Sequence, residues 1–284
     1  MANPTALQGV RSAAWATVAL LGCGLAATAQ AQEQGLPLWE LGVFAGGLSS
    51  PAYPASSERS TRALVLPTFI YRGEVFRSDR GGVGARLLRT EDTELDIGFA
   101  ASLPASSQDI PVRQGMADLG TLIEFGPRLK GTLARPSAGS RLRYELPLRT
   151  VLEINNGVRT QGFALEPEIS YEVRDVGAGW RMSTSASLVL GDSRLNQYFY
   201  GVPTDLATAQ RPAYTAQAGL IATRLTLNAS RSLGPDVRVF AYVRAESYAG
   251  SANTASPLYQ QSTGTSAGLG LNWTLGRSAA KAAN

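Results

Sequence analysis

The sequence predicts an all-β protein: an antiparallel transmembrane β-barrel of about 12 strands that follows a cleaved export segment. Three observations lead there. The first stretch is free of acidic residues, apolar in its middle, and closes on small residues. From Thr93 onward, apolar and polar residues alternate over long runs, and the tryptophans and tyrosines gather toward the ends of those runs.

The export segment comes first. Its one basic side chain, Arg11, precedes an apolar run from Ala13 to Ala27 that is interrupted by Thr17, and the triplet Ala29-Gln30-Ala31 follows. That order fits a secretory signal over residues 1–31, cut between Ala31 and Gln32. The run is also shorter than the ~20 apolar residues a retained membrane helix needs. Cys23, the single cysteine, follows Leu20-Leu21-Gly22, so lipidation at Cys23 is the alternative. Cleavage after Ala31 is favoured because the apolar core continues past Cys23, and it leaves a mature chain with no cysteine, hence no disulfide and no thiolate metal site.

Residues 32–284 then form one domain, since no low-complexity linker or block of like charge divides them. The formal charge of +4 is dispersed rather than clustered, which argues against a nucleic-acid partner. Histidine is absent. That removes the usual general base of serine and cysteine hydrolases and the commonest zinc, copper and iron ligand. No enzymatic activity, cofactor or metal is expected.

The alternation is cleanest at 94–103, where Leu95, Ile97, Phe99, Ala101 and Leu103 share one face. It recurs at 141–155, with Leu142, Tyr144, Leu146, Leu148, Leu152 and Ile154 opposite Arg141, Arg143, Glu145, Arg149 and Glu153. At 163–174, Phe163, Leu165, Ile169 and Tyr171 oppose Glu166, Glu168, Ser170 and Glu172. A soluble sandwich or ligand-carrying barrel also alternates, but its strands average ~5–6 residues, whereas these approach or exceed the ~9–11 that cross a bilayer.

The expected strands are 38–48, 63–72, 74–79, 83–89, 93–104, 119–133, 141–155, 161–174, 180–191, 218–233, 237–249 and 262–275. Loop parity supports this division. The long connections 49–62, 105–118, 192–217 and 250–261 all fall outside, while the tight turns at Gly73, Gly177-Ala178-Gly179 and Gly234-Pro235-Asp236 fall on the periplasmic side. Trp39, Trp180 and Trp273 then lie at periplasmic strand ends as membrane-interface aromatics, joined by Tyr71, Tyr144 and Tyr171. Tyr53, Tyr198, Phe199, Tyr200, Tyr214, Tyr248 and Tyr259 form an expected outer girdle.

Five stretches resemble the MipA/OmpV family, the MltA-interacting proteins. They are Pro37-Leu38-Trp39-Glu40-Leu41-Gly42-Val43; Leu66-Pro67-Thr68-Phe69-Ile70-Tyr71-Arg72-Gly73 with Asp79-Arg80-Gly81-Gly82; Arg113-Gln114-Gly115-Met116-Ala117-Asp118-Leu119; Leu122-Ile123-Glu124-Phe125-Gly126-Pro127; and Tyr198-Phe199-Tyr200-Gly201-Val202. The resemblance implies an outer-membrane barrel of a Gram-negative bacterium. It also implies a scaffold that brings a lytic transglycosylase together with a penicillin-binding protein in peptidoglycan turnover. One departure is the small polar tail 276–284, where a barrel often ends on an aromatic residue.

The charged face carries Glu94, Asp96, Glu124, Arg128, Lys130, Arg143, Glu145, Arg149, Glu153, Glu166, Glu168 and Arg181. It is expected either to cross-link a filled lumen, the preferred reading, or to line a small-solute or ion channel, since twelve strands lie between filled and open barrels. Glu166 and Glu168 resemble an acid-base pair but sit among arginines, which favours salt bridging. Gly81-Gly82-Val83-Gly84 has no lysine-serine partner and reads as a turn rather than a phosphate loop. The segment 192–200 is expected to meet lipopolysaccharide or a partner protein, or more simply to anchor at the membrane surface among outer-membrane lipids.

Overall fold

The computed structural model describes residues 35–79 and 82–282; Cys23 and the expected cleavage site at Ala31 and Gln32 lie outside the described residues. Thirteen strand segments join in one antiparallel sheet: β1 (Trp39–Pro51), β2 (Arg59–Arg72), β3 (Phe76–Asp79), β4 (Gly82–Arg89), β5 (Thr93–Ser102), β6 (Thr121–Ser137), β7 (Ser140–Ile154), β8 (Val158–Leu165), β9 (Glu168–Val173), β10 (Arg181–Gly191), β11 (Gly219–Ser232), β12 (Val237–Ser247) and β13 (Thr263–Arg277). β13 pairs with both β12 and β1, and β11 with both β10 and β12, so the sheet closes into a barrel.

β8 and β9 are two halves of one stave. Both pair with β7 in a single register, from Leu148↔Leu165 to Glu145↔Glu168, and the break falls at Glu166-Pro167. Proline has no N–H for the ladder, so a proline inside a paired strand interrupts it. Glu166 N–H still donates to the Pro147 carbonyl at 3.2 Å, and Leu188 N–H to the Pro167 carbonyl at 3.1 Å, which keeps the halves in line. Counted as staves the barrel has twelve strands, as the sequence predicts, including the short β3–β4 hairpin.

The last strand differs from expectation. β13 runs to Arg277, and the tail continues the pairing: Ser278 N–H donates to the Trp39 carbonyl at 3.0 Å, Leu38 N–H to Ala280 at 2.8 Å, and Ala282 N–H to Leu36 at 2.9 Å. Side-chain pattern marks only where a strand faces lipid, whereas backbone pairing needs no apolar residue, so a small polar tail extends the ladder below the membrane face.

Side chains obey the alternation. Leu146, Leu148, Phe163, Ile169, Leu225, Val243, Leu269 and Trp273 stay exposed on the outer surface, where the lipid chains lie. Asp96, Arg128, Lys130, Arg149, Glu153 and Glu172 are buried on the inner face. No described helix is long and apolar enough to cross a membrane. Leu146→Arg, in the middle of β7, is therefore expected to cost about 2–4 kcal/mol in refolding equilibria into lipid vesicles, as a cation at the bilayer midplane does.

Candidate functional site: the lumen and its outer cap

Register decides which lumen charges meet. Asp96 lies directly opposite Arg128 across β5 and β6, Glu94 opposite Lys130, Arg141 opposite Glu172 across β7 and β9, and Arg224 opposite Glu246 across β11 and β12. Those neighbours are ion-paired: Arg128–Asp96 at 2.6 Å, Lys130–Glu94 at 3.2 Å, Arg141–Glu172 at 3.3 Å and Arg224–Glu246 at 2.7 Å. Diagonal contacts link them into chains. Lys130 also reaches Asp96 at 2.7 Å, Arg128 reaches Glu145 at 3.5 Å, and Arg143 bridges Glu145 at 3.9 Å and Glu172 at 3.2 Å.

A second chain crosses the lumen higher up. Glu166 accepts from Arg149 at 3.2 Å and Arg224 at 2.8 Å, and Arg149 also meets Glu124 at 3.4 Å. Glu166 and Glu168 thus have unlike surroundings. Glu168 is hydrogen-bonded by Ser185 and, like Arg181 at the start of β10, has no ion pair among the described residues. Arg141 and Glu172, expected on the polar faces of their strands, join the charged wall, as do Arg86, Arg224 and Glu246, which are not among the candidates from sequence, and Arg72–Glu40 at 2.6 Å forms a further pair at the periplasmic end. The same alternation, extended through β11 and β12, finds Arg224, Arg244 and Glu246 on one face.

The outer mouth is covered by a cap. Loops 52–58, 103–120, 192–218 and 248–262 pack together over two apolar clusters that share Tyr198, Phe199 and Tyr214. Asp192 caps the helix α1 (Ser193–Tyr200) by accepting from Leu195 N–H at 2.8 Å, and the helix lays Leu195 and Tyr200 into the cap. Asn253 and Glu153 organise the polar groups inside the cap, while the buried Tyr200 hydroxyl has no hydrogen-bond partner among the described residues. Asn253 donates to Asn196 Oδ1 at 2.8 Å and the Gln217 carbonyl at 2.9 Å, and its Oδ1 accepts from Gln217 N–H at 2.8 Å and Tyr214 at 3.2 Å. Glu153 belongs to the cap too, tying Gly120 N–H at 3.0 Å, Tyr198 at 3.1 Å and Gln161 at 2.7 Å.

The expected outer girdle is therefore replaced by a core. Tyr53, Tyr200 and Tyr248 are buried in the cap rather than set at lipid headgroups, because the loops that carry them are long enough to fold inward over the mouth. Segment 192–200 turns its aromatics into the same core. At the periplasmic end, Trp39 opens β1 opposite Tyr71, Trp180 precedes β10 in the 174–180 turn, and Trp273 stands on the outer face of β13.

Burial raises the Tyr53 phenol to about 12, although the Arg113 guanidinium over its ring opposes the shift. Tyr53 donates to the Leu258 carbonyl at 2.6 Å. Because the folded value lies above the ordinary one near 10, this contribution to cap stability is complete below pH ~10 and is lost as pH rises toward 12. Phenolate absorbance should show Tyr53 ionising late, together with cap opening read by protease access, and Tyr53→Phe should move that opening to higher pH without abolishing it, since burial also raises Tyr198, Tyr200 and Tyr248 in the same cap.

Under this roof lies a cavity of about 440 Å³, lined on one side by Phe44, Leu48, Leu64, Leu66 and Phe240 and on the other by Glu145, Arg149, Glu166 and Glu168. The lumen is thus not fully plugged.

A family model described as MltA-interacting protein MipA matches residues 43–275. No curated protein matches the chain in sequence. Among solved structures, the chain is similar to a bacterial polysaccharide outer membrane secretin, with TM-score 0.41 and 7% identity, covering 84% of this chain and 99% of that one. It is similar to the outer membrane phospholipase A from Escherichia coli, with TM-score 0.32 and 12% identity over 82% and 92% of the two chains. It is also similar to the Pseudomonas putida toluene transporter TodX, with TM-score 0.33 and 9% identity over 93% and 98%. At these scores the likenesses carry no argument about lumen or chemistry.

Proposed function

The chain belongs to the MltA-interacting protein MipA family, and from that premise we propose that it is an outer-membrane protein of a Gram-negative bacterium that scaffolds peptidoglycan-remodelling enzymes. Family membership carries this reading. The partners it implies are a membrane-bound lytic transglycosylase and, through it, a penicillin-binding protein, met at the periplasmic turns 73–75, 90–92, 138–139, 174–180 and 233–236. The outer cap supports it, because a packed roof over ion-paired walls suits a rigid support better than a diffusion pore.

The cavity of about 440 Å³ favours a second reading, a small-solute or ion channel. Two measurements separate them. In planar bilayers the scaffold reading expects no stepwise conductance, together with saturable binding of purified lytic transglycosylase that is weakened by charge reversal at Asp175 or Asp236 in the periplasmic turns. Unitary conductance without transglycosylase binding would establish the channel instead.

A further inference from the structure

The barrel wall has a gap. β2 meets β3 only at Tyr71↔Ser78 and Arg72↔Arg77, and β4 meets β5 no higher than Gly84↔Gly98. Above the short β3–β4 hairpin, no ladder among the described residues joins the edge of β2 from Arg59 to Ile70 with the edge of β5 from Phe99 to Ser102.

Pro67 supports a bare edge on β2. It lies inside the unbroken β1–β2 ladder, opposite Val43, so its missing N–H falls on the side away from β1. Pro127 behaves alike: it lies inside the unbroken β5–β6 ladder opposite Ile97, and the interruption falls on its other side, where β6–β7 pairing skips from Phe125↔Thr150 to Arg128↔Pro147. At Pro67 the other side carries no ladder at all among the described residues. Backbone that is unpaired at membrane depth is tolerated where it is buried in protein or lines a cavity. Both edges border the lumen cavity, which is lined by Ser60, Leu64 and Leu66 on β2 and by Phe99 to Pro104 on and after β5.

The chemistry beside the gap is that of an amphiphile site. Inside, Phe44 and Phe240 stack at 5.4 Å, and Leu48, Leu64 and Leu66 continue an apolar wall. A side chain at Gly270 would strike the Phe44 and Phe240 rings, so the glycine lets both rings lie close to β13. Outside, Val65 and Phe69 on β2 and Phe99 on β5 present apolar faces to lipid. At the outer end of the gap, Arg62 donates to the Pro104 carbonyl at 2.6 Å and to Ser60 at 3.1 Å, and it has no carboxylate partner among the described residues.

We propose that the gap between β2 and β5 is a lateral portal, through which one hydrocarbon chain of an anionic amphiphile enters the lumen from the outer half of the bilayer. The chain lies along Phe44, Leu48, Leu64, Leu66 and Phe240, and Arg62 holds the anionic head at the portal. The cap covers the cavity from above, and the gap faces the membrane. The volume lies within the ~300–1,000 Å³ range of small-molecule sites.

The test uses cis-parinaric acid as a fluorescent probe of the refolded full-length barrel. Saturable binding is expected, weakened about tenfold or more in Leu66→Trp and in Leu48→Trp, which fill the cavity, and unchanged in Leu271→Trp on the lipid face. Two filling variants guard against one that does not refold, as read by heat-modifiable mobility in gels. Arg62→Gln should weaken the acid but not the corresponding neutral alcohol. Competition assigns the source: displacement by oleate alone indicates a free fatty acid, and displacement by phosphatidylglycerol as well indicates a membrane lipid. Non-saturable binding, or equal affinity in wild type and both filling variants, overturns the portal site. Equal weakening of acid and alcohol in Arg62→Gln overturns the role of the arginine.

Discussion

Glu172→Ala is expected to lower the folding free energy by about 3–5 kcal/mol, the usual cost of stranding buried charge by removing its partner. The Glu172 side chain is 1% exposed and lies between Arg141 at 3.3 Å and Arg143 at 3.2 Å, whose own side chains are 14% and 12% exposed. Without it, two guanidiniums stand side by side on the inner face of β7, and only the distant Glu145 contact at 3.9 Å remains to Arg143. Urea titration of protein refolded into vesicles measures the loss. The triple replacement Arg141→Met, Arg143→Met, Glu172→Leu should recover most of it, because an ion pair and an apolar substitute of similar volume are often close in free energy. Failure of the triple variant to recover would mean that the charges carry net stability rather than wall specificity.

Asn253→Leu is expected to open the outer cap. Asn253 is fully buried, and its amide joins α1 through Asn196, the loop at Gln217 and the Tyr214 hydroxyl. A leucine leaves the buried Asn196 amide and the partly covered Gln217 backbone and Tyr214 hydroxyl without this partner, at about 1–3 kcal/mol for each group that finds no replacement. Two readouts should move together: cleavage of loop 192–218 by added protease, and a conductance that the capped barrel is expected to lack. Protease access without conductance would place the barrier to ions in the ion-paired lumen rather than in the cap. An intact cap in the variant would show that the two apolar clusters hold it without the amide network.

How much of this was legible beforehand differs by level. Alternation at 94–103, 141–155 and 163–174 named the lumen face residue by residue, and loop parity required the β3–β4 hairpin even though those strands are short. The strand ends were less legible. Arg277 and the paired tail lie beyond 275 because backbone pairing does not need the lipid-facing pattern that reveals a strand.

The outer aromatics were read in the wrong setting. A tyrosine at a strand end suits a headgroup girdle and a loop core equally well in sequence, and only the inward folding of loops 192–218 and 248–262 distinguishes them. Partner choice in the charged wall was likewise hidden. Glu166 and Glu168 are chemically identical and share a face, yet one meets two arginines and the other a serine, because register sets Arg149 and Arg224 around the first alone.

By itself the sequence determined the export segment as an expectation, the barrel, its strand number and which side chains turn inward, since period two and loop parity are properties of consecutive residues. The tertiary structure alone decided the ion-pair partners, the cap and the gap between β2 and β5. Each depends on which strand edges and loops meet across the closed sheet, and contacts between residues far apart in the chain leave no local pattern to read.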